Sequence, residues 1–366
     1  MIKEGKIGLQ EAVCLITITV STKAFFTSPA FLANLVGTAS WYTTLLSAAT
    51  AAIGFTFVYF LVKRFPKKNI VEIFEETLGR FLGFVFSFSF FAFFFFLSAI
   101  ELREFTEVMK VFALPHTPPS FLIGIFMVVT VTLSYLGLEA IARFSKLIGL
   151  VLLLSLISVL FISSQNYEYR FLYPFFGYGL DKTIEHGLRR SSAYGEVVLL
   201  TVFAASLQGT KNIKKAGYLS LIISGFVISS SILAFTLTFP YYSVQEVTAP
   251  IYQMVRMIMY GSFIQRLDPI YLFLWNISTL ITVSAIFYAS VSIYCKMFRI
   301  QDYRPIVIPA AITLFTLTLV PKDLASIVSG YVQFTRDFGW VFFFLLPIIS
   351  LIAAIIRKKG GHVSNA

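Results

Sequence analysis

The chain has 366 residues, of which 57% are hydrophobic and only 13% are charged, and its mean hydropathy is +0.82. This composition excludes an ordinary water-soluble domain, which would expose far more charge. Apolar stretches of 18 or more residues recur along the whole sequence and indicate a polytopic helical membrane protein. The net charge of +11 does not indicate nucleic-acid binding, because the basic residues cluster at alternate ends of the apolar stretches.

The first apolar stretch follows a short, mildly charged segment, residues 1–10. It is too long for a signal peptide and lacks a small-residue cleavage pattern, so we expect it to be retained as the first helix. Cys14 and Cys295 lie inside apolar stretches without a CxxC neighbour, and the histidines fall in predicted loops or in the tail. We therefore expect no disulfide framework, no metal site, no cofactor and no enzymatic activity.

Hydropathy and helix-breaking residues predict an all-α protein with ten transmembrane helices, which we treat as a single domain over residues 1–366. The ninth helix is short, because Pro305 and Pro309 stand at its start. The predicted spans are residues 10–35, 40–62, 81–102, 120–137, 147–164, 191–208, 216–239, 267–295, 305–320 and 338–356.

The distribution of Lys and Arg predicts the orientation of the bundle. With the N-terminus in the cytoplasm, most of the 29 basic side chains fall on the cytoplasmic side, in clusters such as 63–68, 211–215 and 357–359. Short cytoplasmic loops of membrane proteins carry this excess. An even number of spans then places both termini in the cytoplasm.

Two further segments have helical spacing outside the spans. Residues 69–80 begin with a potential Asn69 cap, carry Glu72 in the capping-box position and reach Gly79 as a stop, which predicts a cytoplasmic amphipathic helix at about 69–79. We interpret it as a connector. Residues 247–260 carry an apolar stripe, which predicts a helix in the outer interface that covers the site as a lid.

Lys23 is the only charged residue between Glu11 and Lys63 in the sequence, and it falls halfway along the first span. A charge in hydrocarbon costs roughly 2.5–3.5 kcal/mol or more unless it is paired or faces a cavity. Pro29 and the surrounding Ser and Thr residues predict a break near residues 21–25. Lys23 then either locks the first helix to a neighbour through an ion pair, anchors a ligand carboxylate, or replaces a bound cation.

Glu196 is a second lone charge and interrupts the sixth span just after Tyr194 and Gly195. It lies about six residues from the outer end, so we expect it near the outer mouth, above the midplane. The alternatives are that it faces the ligand site, that it extends to the outer surface, or that Arg189 or Arg190 neutralises it.

The third span ends in a charged cluster that contains Glu101, Arg103, Glu104 and Glu107. Arg103 can meet Glu107 at i+4 spacing. We expect most of this cluster to be a solvated outer end, with Glu101 as the member that faces the bundle.

The eighth span carries Ser278, Thr282 and Ala285 on one helical face. This small polar stripe suits either a helix–helix contact or the wall of a cavity.

The chain resembles the spore germinant-receptor B-subunit family over about residues 9–359. Each shared segment is weak alone, and their order and spacing carry the resemblance. The segments are residues 77–83 (TLGRFLG), 101–110 (ELREFTEVMK), 137–143 (GLEAIAR), 194–196 (YGE), 264–268 (IQRLD) with Trp275, and 320–323 (VPKD).

The resemblance implies a ten-helix fold of the amino acid–polyamine–organocation superfamily, a LeuT-like five-plus-five inverted repeat with repeats at about 10–164 and 191–356. It implies that a small germinant, usually an amino acid, binds where helices one and six unwind, and that A-type and C-type subunits are partners in the spore inner membrane. The implied ligand shell is Ser21, Thr22, Lys23, Ala24, Leu97, Glu101, Ala193, Tyr194, Gly195, Glu196, Thr279 and Thr282.

Lys23 departs from many relatives, which have a Gly-x-Gly-like turn where this chain has Ser21-Thr22-Lys23. Glycine admits a ligand carboxylate to bare backbone amides, whereas a lysine binds it as a point charge. The functional alternatives are a nutrient sensor, a proton- or cation-coupled amino acid transporter of the same fold, and a receptor scaffold whose cavity stays empty.

Overall fold

The computed structural model describes residues 5–66, 68–244, 249–258 and 267–360. Within these ranges the chain is almost entirely helical, and the extended pairing is an isolated bridge between Ile7 and Leu207. Residues 247–248 and 259–260 of the outer segment and residues 264–266 of the resemblance lie outside the described residues.

In the described ranges, seventeen α-helices follow one another in the order of the predicted spans, with 3-10 and π turns between some of them. Those of the first half are α1 Leu9–Ser21, α2 Ser28–Val36, α3 Ser40–Arg64, α4 Ile70–Leu78, α5 Arg80–Phe112, α6 Pro119–Leu136, α7 Leu138–Ile162 and α8 Leu180–Arg189. Those of the second half are α9 Leu199–Val202, α10 Thr210–Thr238, α11 Tyr241–Val244, α12 Pro250–Arg256, α13 Asp268–Met297, α14 Arg304–Thr318, α15 Leu324–Ser326, α16 Gln333–Trp340 and α17 Leu346–Ile356.

Seven continuous helical runs among the described residues are long and apolar enough to cross a membrane, and α14 is a shorter apolar helix of 15 residues. The predicted first and sixth spans are not among the seven. The helical run of the first ends at Phe25 before α2 begins at Ser28, and the sixth consists of the 3-10 helix Arg190–Val198 and only four residues of α9. The count of ten crossings and the division into two repeats remain predictions.

The predicted connector helix is present as α4. The Asn69 side chain accepts from the amides of Val71 and Glu72 at 3.0 and 3.1 Å, and Glu72 accepts from the Asn69 amide at 3.0 Å. This reciprocal arrangement is the capping box expected from the sequence. Gly79 ends the helix with φ of +90°, a conformation that favours glycine.

The outer segment forms α12, which is shorter than the predicted helix. Its apolar stripe is buried, with Ile251, Met254 and Val255 all 0% exposed. It packs against α10, α13 and the turn that follows α1. The apolar stripe is therefore packed against the bundle, while Arg256 and Met257 at the end of the segment are exposed. Its place in the outer interface and its role as a lid remain predictions.

One face of the bundle collects basic side chains from elements distant in sequence, and we call it the basic face. Arg64 donates to the carbonyl of Lys359 at 2.6 Å, and Arg357 donates to the carbonyl of Thr77 at 2.9 Å. Arg299 pairs with Glu75 at 2.8 Å on the same face. Both ends of the described chain lie there, which agrees with the predicted grouping of Lys and Arg.

A close contact between α3 and α10 yields a prediction. A Cβ added at Gly217 would lie 2.1 Å from the buried Phe55 ring, whereas one added at Gly124 meets no heavy atom within 4 Å. We expect Gly217→Ala to lower the free energy of unfolding by about 1–2 kcal/mol, because overpacking outweighs the gain in helix propensity. Gly124→Ala is the control and should leave it unchanged or slightly higher. Thermal unfolding of both variants in detergent tests this, and equal midpoints would contradict it.

Candidate functional site

The first helix is broken where its sequence predicted. α1 ends at Ser21, a 3-10 turn covers Thr22–Phe25, and α2 starts at Ser28 with a proline in its first turn. Pro29 has no amide hydrogen and its ring disfavours a continuous α-helix through the preceding turn. The expected break is confirmed, and it presents Lys23 and Ala24 to the bundle interior.

The sixth span begins with a second departure from α-helical geometry. Arg190–Val198 form a 3-10 helix of nine residues, and α9 follows with only four. Runs of 3-10 helix longer than 3–4 residues are uncommon and often mark strain or a hinge. This segment carries Ala193, Tyr194, Gly195 and Glu196.

Lys23 and Glu196 form an ion pair between these two breaks. Their side chains are 3% and 0% exposed, and Lys23 Nζ also donates to the carbonyl oxygen of Ala193 at 3.0 Å. Glu196 Oε1 has no hydrogen-bond partner in the described part of the chain. The pair joins two helix interruptions that are 173 positions apart in sequence, from position 23 to position 196.

The alternatives that Glu196 extends to the outer surface or is neutralised by Arg189 or Arg190 are wrong, because its side chain is 0% exposed and pairs with Lys23. Its expected place near the outer mouth stays a prediction. Arg189 pairs with Glu185 at 3.2 Å, and Arg190 donates to Gln333 at 2.5 Å. A 3-10 helix rises about 2.0 Å per residue against 1.5 Å for an α-helix. The 3-10 stretch therefore places Glu196 further along the helix axis from Arg190 than an α-helix of the same length would.

Helix α13 forms hydrogen bonds with the first break through hydroxyl groups. Thr22 Oγ1 lies 2.5 Å from Ser278 Oγ and 3.0 Å from Thr282 Oγ1, and it also donates to the carbonyl of Ile18 at 2.7 Å. The polar stripe of the eighth span thus forms a helix–helix contact, one of the two readings of the sequence. Thr279 is buried on the same helix, with no partner for its hydroxyl among the described residues.

The charged end of α5 is buried, which overturns the expectation of a solvated cluster. Glu101, Arg103, Glu104 and Glu107 are between 2% and 6% exposed. Arg103 pairs with Glu107 at 3.0 Å, as the i+4 spacing predicted. These side chains are covered because α15 and the π turn after it pack against α5, a contact between distant segments.

Two carboxylates of this cluster approach the first break. Glu104 Oε1 accepts from Thr27, at 3.2 Å from the amide and 2.5 Å from the hydroxyl. Glu101 is 4% exposed, and neither carboxylate oxygen has a hydrogen-bond partner in the described ranges. The prediction that Glu101 faces the bundle is confirmed.

Arg336 on α16 is a charge of the site that the sequence analysis missed. It is 4% exposed, interacts electrostatically with Lys23 and Glu101, and offers its carbonyl oxygen to the Ser192 hydroxyl. The tenth span was predicted to begin at 338, which left Arg336 in a loop. In the structure, two π turns, Ile327–Val332 and Val341–Leu345, flank α16. The available signal was an isolated basic residue just before an apolar stretch.

The remaining residues of the implied ligand shell are buried among other side chains of the bundle. The Tyr194 hydroxyl lies 2.8 Å from Thr44 Oγ1 on α3. A Cβ added at Gly195 would fall 1.9 Å from the Phe343 ring, so glycine permits a close approach there. The hydroxyl of Ser21 has no partner among the described residues, and Leu97 is buried in the core.

The open space at the site is small. A cavity of about 40 Å³ adjoins Lys23, Ala24, Ala193, Arg190 and Arg336. It has room for only a few water molecules. In this structure the space between the two breaks is therefore too small to hold an amino acid.

A family profile described as spore germination protein matches residues 6–327. "Spore germination protein KB" of Bacillus subtilis (strain 168) is 24% identical, with 99% of this chain and 98% of that protein covered. "Spore germination protein A2" of the same organism is 23% identical, with 97% of each covered.

Solved structures share the fold. A substrate-bound, outward-open Na⁺-coupled sialic acid symporter aligns with a TM-score of 0.66 and 13% identity, over 97% of this chain and 90% of that one. MhsT in complex with L-phenylalanine aligns with a TM-score of 0.65 and 14% identity, over 96% and 90%. At these identities the likeness establishes the fold alone, and the LeuT-like prediction is confirmed.

The ion pair predicts a specific pattern of stability. Lys23→Met leaves Glu196 buried without its partner and should lower the free energy of unfolding by about 3–5 kcal/mol. The double variant Lys23→Met/Glu196→Gln should recover most of this loss, because no uncompensated charge remains. Thermal unfolding of the single and double variants in detergent measures both effects.

Lys146→Met is the matched control. Lys146 pairs with Glu11 at 2.7 Å, and their side chains are 44% and 20% exposed. Such an exposed pair contributes about 1 kcal/mol or less. If the Lys23→Met variant were no less stable than Lys146→Met, the prediction that the buried ion pair stabilises the fold would be wrong.

Proposed function

This chain belongs to the spore germination protein family, and we propose that it is the nutrient-sensing membrane subunit of a germinant receptor that binds an amino acid between its two broken helices. The observation that carries the proposal is the buried Lys23–Glu196 ion pair, which joins both breaks. In this proposal A-type and C-type subunits read the bound state in the spore inner membrane. The basic face then lies in the cytoplasm, with both termini.

The ion pair supports a zwitterionic ligand. An α-amino acid carries a carboxylate that complements Lys23 and an ammonium group that complements Glu196. Binding replaces one internal ion pair with two between protein and ligand, so no net charge enters the hydrocarbon region. A ligand with one uncompensated charge would meet the full cost of burial.

The contacts around the pair fit this exchange. Glu196 Oε1 is already without a hydrogen-bond partner among the described residues, and the Ala193 carbonyl becomes free once Lys23 Nζ leaves it. Both are acceptors, which an ammonium group requires. The fold is also shared with MhsT, whose structure contains L-phenylalanine.

The closed cavity supports a sensing mechanism based on a shift between two packings. The Lys23–Glu196 pair holds the two breaks together in the absence of ligand. A ligand that binds only when they separate shifts the equilibrium toward the open packing. Helices α5 and α13 contact the first break through Glu104 and Thr22, so they transmit the change to the surface that partners contact.

A secondary transporter is the second candidate, because the fold is shared with substrate-bound symporters. For transport, Glu101 is a candidate proton-coupling group beside Lys23 and Glu196, because its buried carboxylate has no hydrogen-bond partner among the described residues. Uptake of labelled amino acid into proteoliposomes at transporter-like turnover would overturn the sensor-only proposal.

A thermal-shift screen of the purified protein against amino acids, sugars and nucleosides tests the ligand class. A stabilising amino acid at 100 times its Kd should add about 2.7 kcal/mol to the free energy of unfolding. This gain should disappear in Lys23→Met and in Glu196→Gln and persist in the control Lys146→Met. A shift given by a sugar or nucleoside that survives in Lys23→Met would contradict the zwitterion site.

A further inference from the structure

A second cavity, unrelated to the two breaks, opens on the basic face. Its volume is about 580 Å³, and it lies between α4, the start of α5 and the end of α13. Six of the residues that line it are Glu75, Arg80, Phe84, Ser87, Phe298 and Arg299. The proposed sensing mechanism uses none of them.

The charge in this cavity is positive. Arg299 is neutralised by Glu75 at 2.8 Å, whereas Arg80 is exposed and pairs with no acidic side chain in the described part of the chain. The first turn of α5 also lines the cavity, and the start of a helix carries partial positive charge and unsatisfied amides. One full cation and one helix start thus point to an anionic ligand.

The cavity has an apolar rim and a polar end. Phe84 and Phe298 are 43% and 50% exposed, and their rings contact each other at 5.9 Å. Phe88 is 49% exposed and stacks on Phe84 at 6.4 Å. Ser87 is fully buried, and its hydroxyl has no hydrogen-bond partner among the described residues. Together with the positive charge, this exposed apolar rim suits an amphiphile whose head is anionic.

We propose that this cavity binds the headgroup of an anionic phospholipid from the leaflet at the basic face. The phosphate lies at Arg80 and the start of α5, and the acyl chains follow the exposed rings of Phe84 and Phe88. Basic pockets between membrane helices are known lipid-headgroup sites. Because α5 and α13 bound the cavity, the lipid fixes the relative position of two helices that also contact the candidate ligand site.

Purified protein tests the site by native mass spectrometry with phosphatidylglycerol and phosphatidylcholine of identical acyl chains. The wild type should prefer phosphatidylglycerol, and Arg80→Gln should reduce that preference at least about fivefold. Arg299→Gln should reduce the preference for phosphatidylglycerol more than Arg80→Gln does, because Glu75 then contributes an unpaired negative charge. Arg143→Gln is the control, since Arg143 lies on the same face, pairs with Glu139 and is 72% exposed outside the cavity.

Two outcomes would overturn the proposal. Equal loss of preference in Arg80→Gln and Arg143→Gln would show general attraction to the basic face without a defined site. Displacement of the lipid by soluble glycerol phosphate at equal concentration would show that the cavity takes a free anion. Preference that is lost in Arg80→Gln, kept in Arg143→Gln and resistant to glycerol phosphate supports the lipid site.

Discussion

The rest of the structure depends on one constraint, which is that a lysine and a glutamate are buried together inside an apolar bundle. Neither charge is tolerable there alone, so Lys23 and Glu196 fix the first and sixth spans against each other. In a regular α-helix the backbone carbonyls accept hydrogen bonds within the helix and are less available to a side chain such as Lys23. The 3-10 turns at Thr22–Phe25 and Arg190–Val198 free backbone groups, and Lys23 uses one of them, the carbonyl of Ala193.

A second layer of buried polar groups surrounds this pair. Thr22 forms a hydrogen bond with Ser278 on α13, and Glu104 accepts a hydrogen bond from Thr27. Arg336 on α16 adds a buried positive charge. Opposite charges from four distant segments therefore meet within one apolar core. Such a network has few satisfactory arrangements, because each change in one contact leaves a buried group without its partner. In the proposed sensing function, this network holds one packing until a ligand binds.

Local features were predictable where the responsible residues are neighbours in sequence. The break near Ser21 follows from Pro29 and adjacent hydroxyl residues, and the Asn69 capping box follows from a three-residue spacing. The burial of the charged end of α5 was not predictable, because the segment that covers it comes more than 200 positions later, around Leu324. From sequence alone, a charged segment is predicted to be exposed to solvent. Its burial becomes visible only when the fold shows which distant segment packs against it.

By itself, the sequence determined the membrane class, the order of the helices and the break in the first span. It also identified Lys23 as the lone charge within that span. Hydropathy, proline and an isolated charge act over one span or less, so they can be recognised without the fold. Only the tertiary structure decided that Lys23 pairs with Glu196, that Arg336 lies beside them, and that the space between the two breaks is small. These facts depend on the depth and rotation of separate helices, which local composition does not specify.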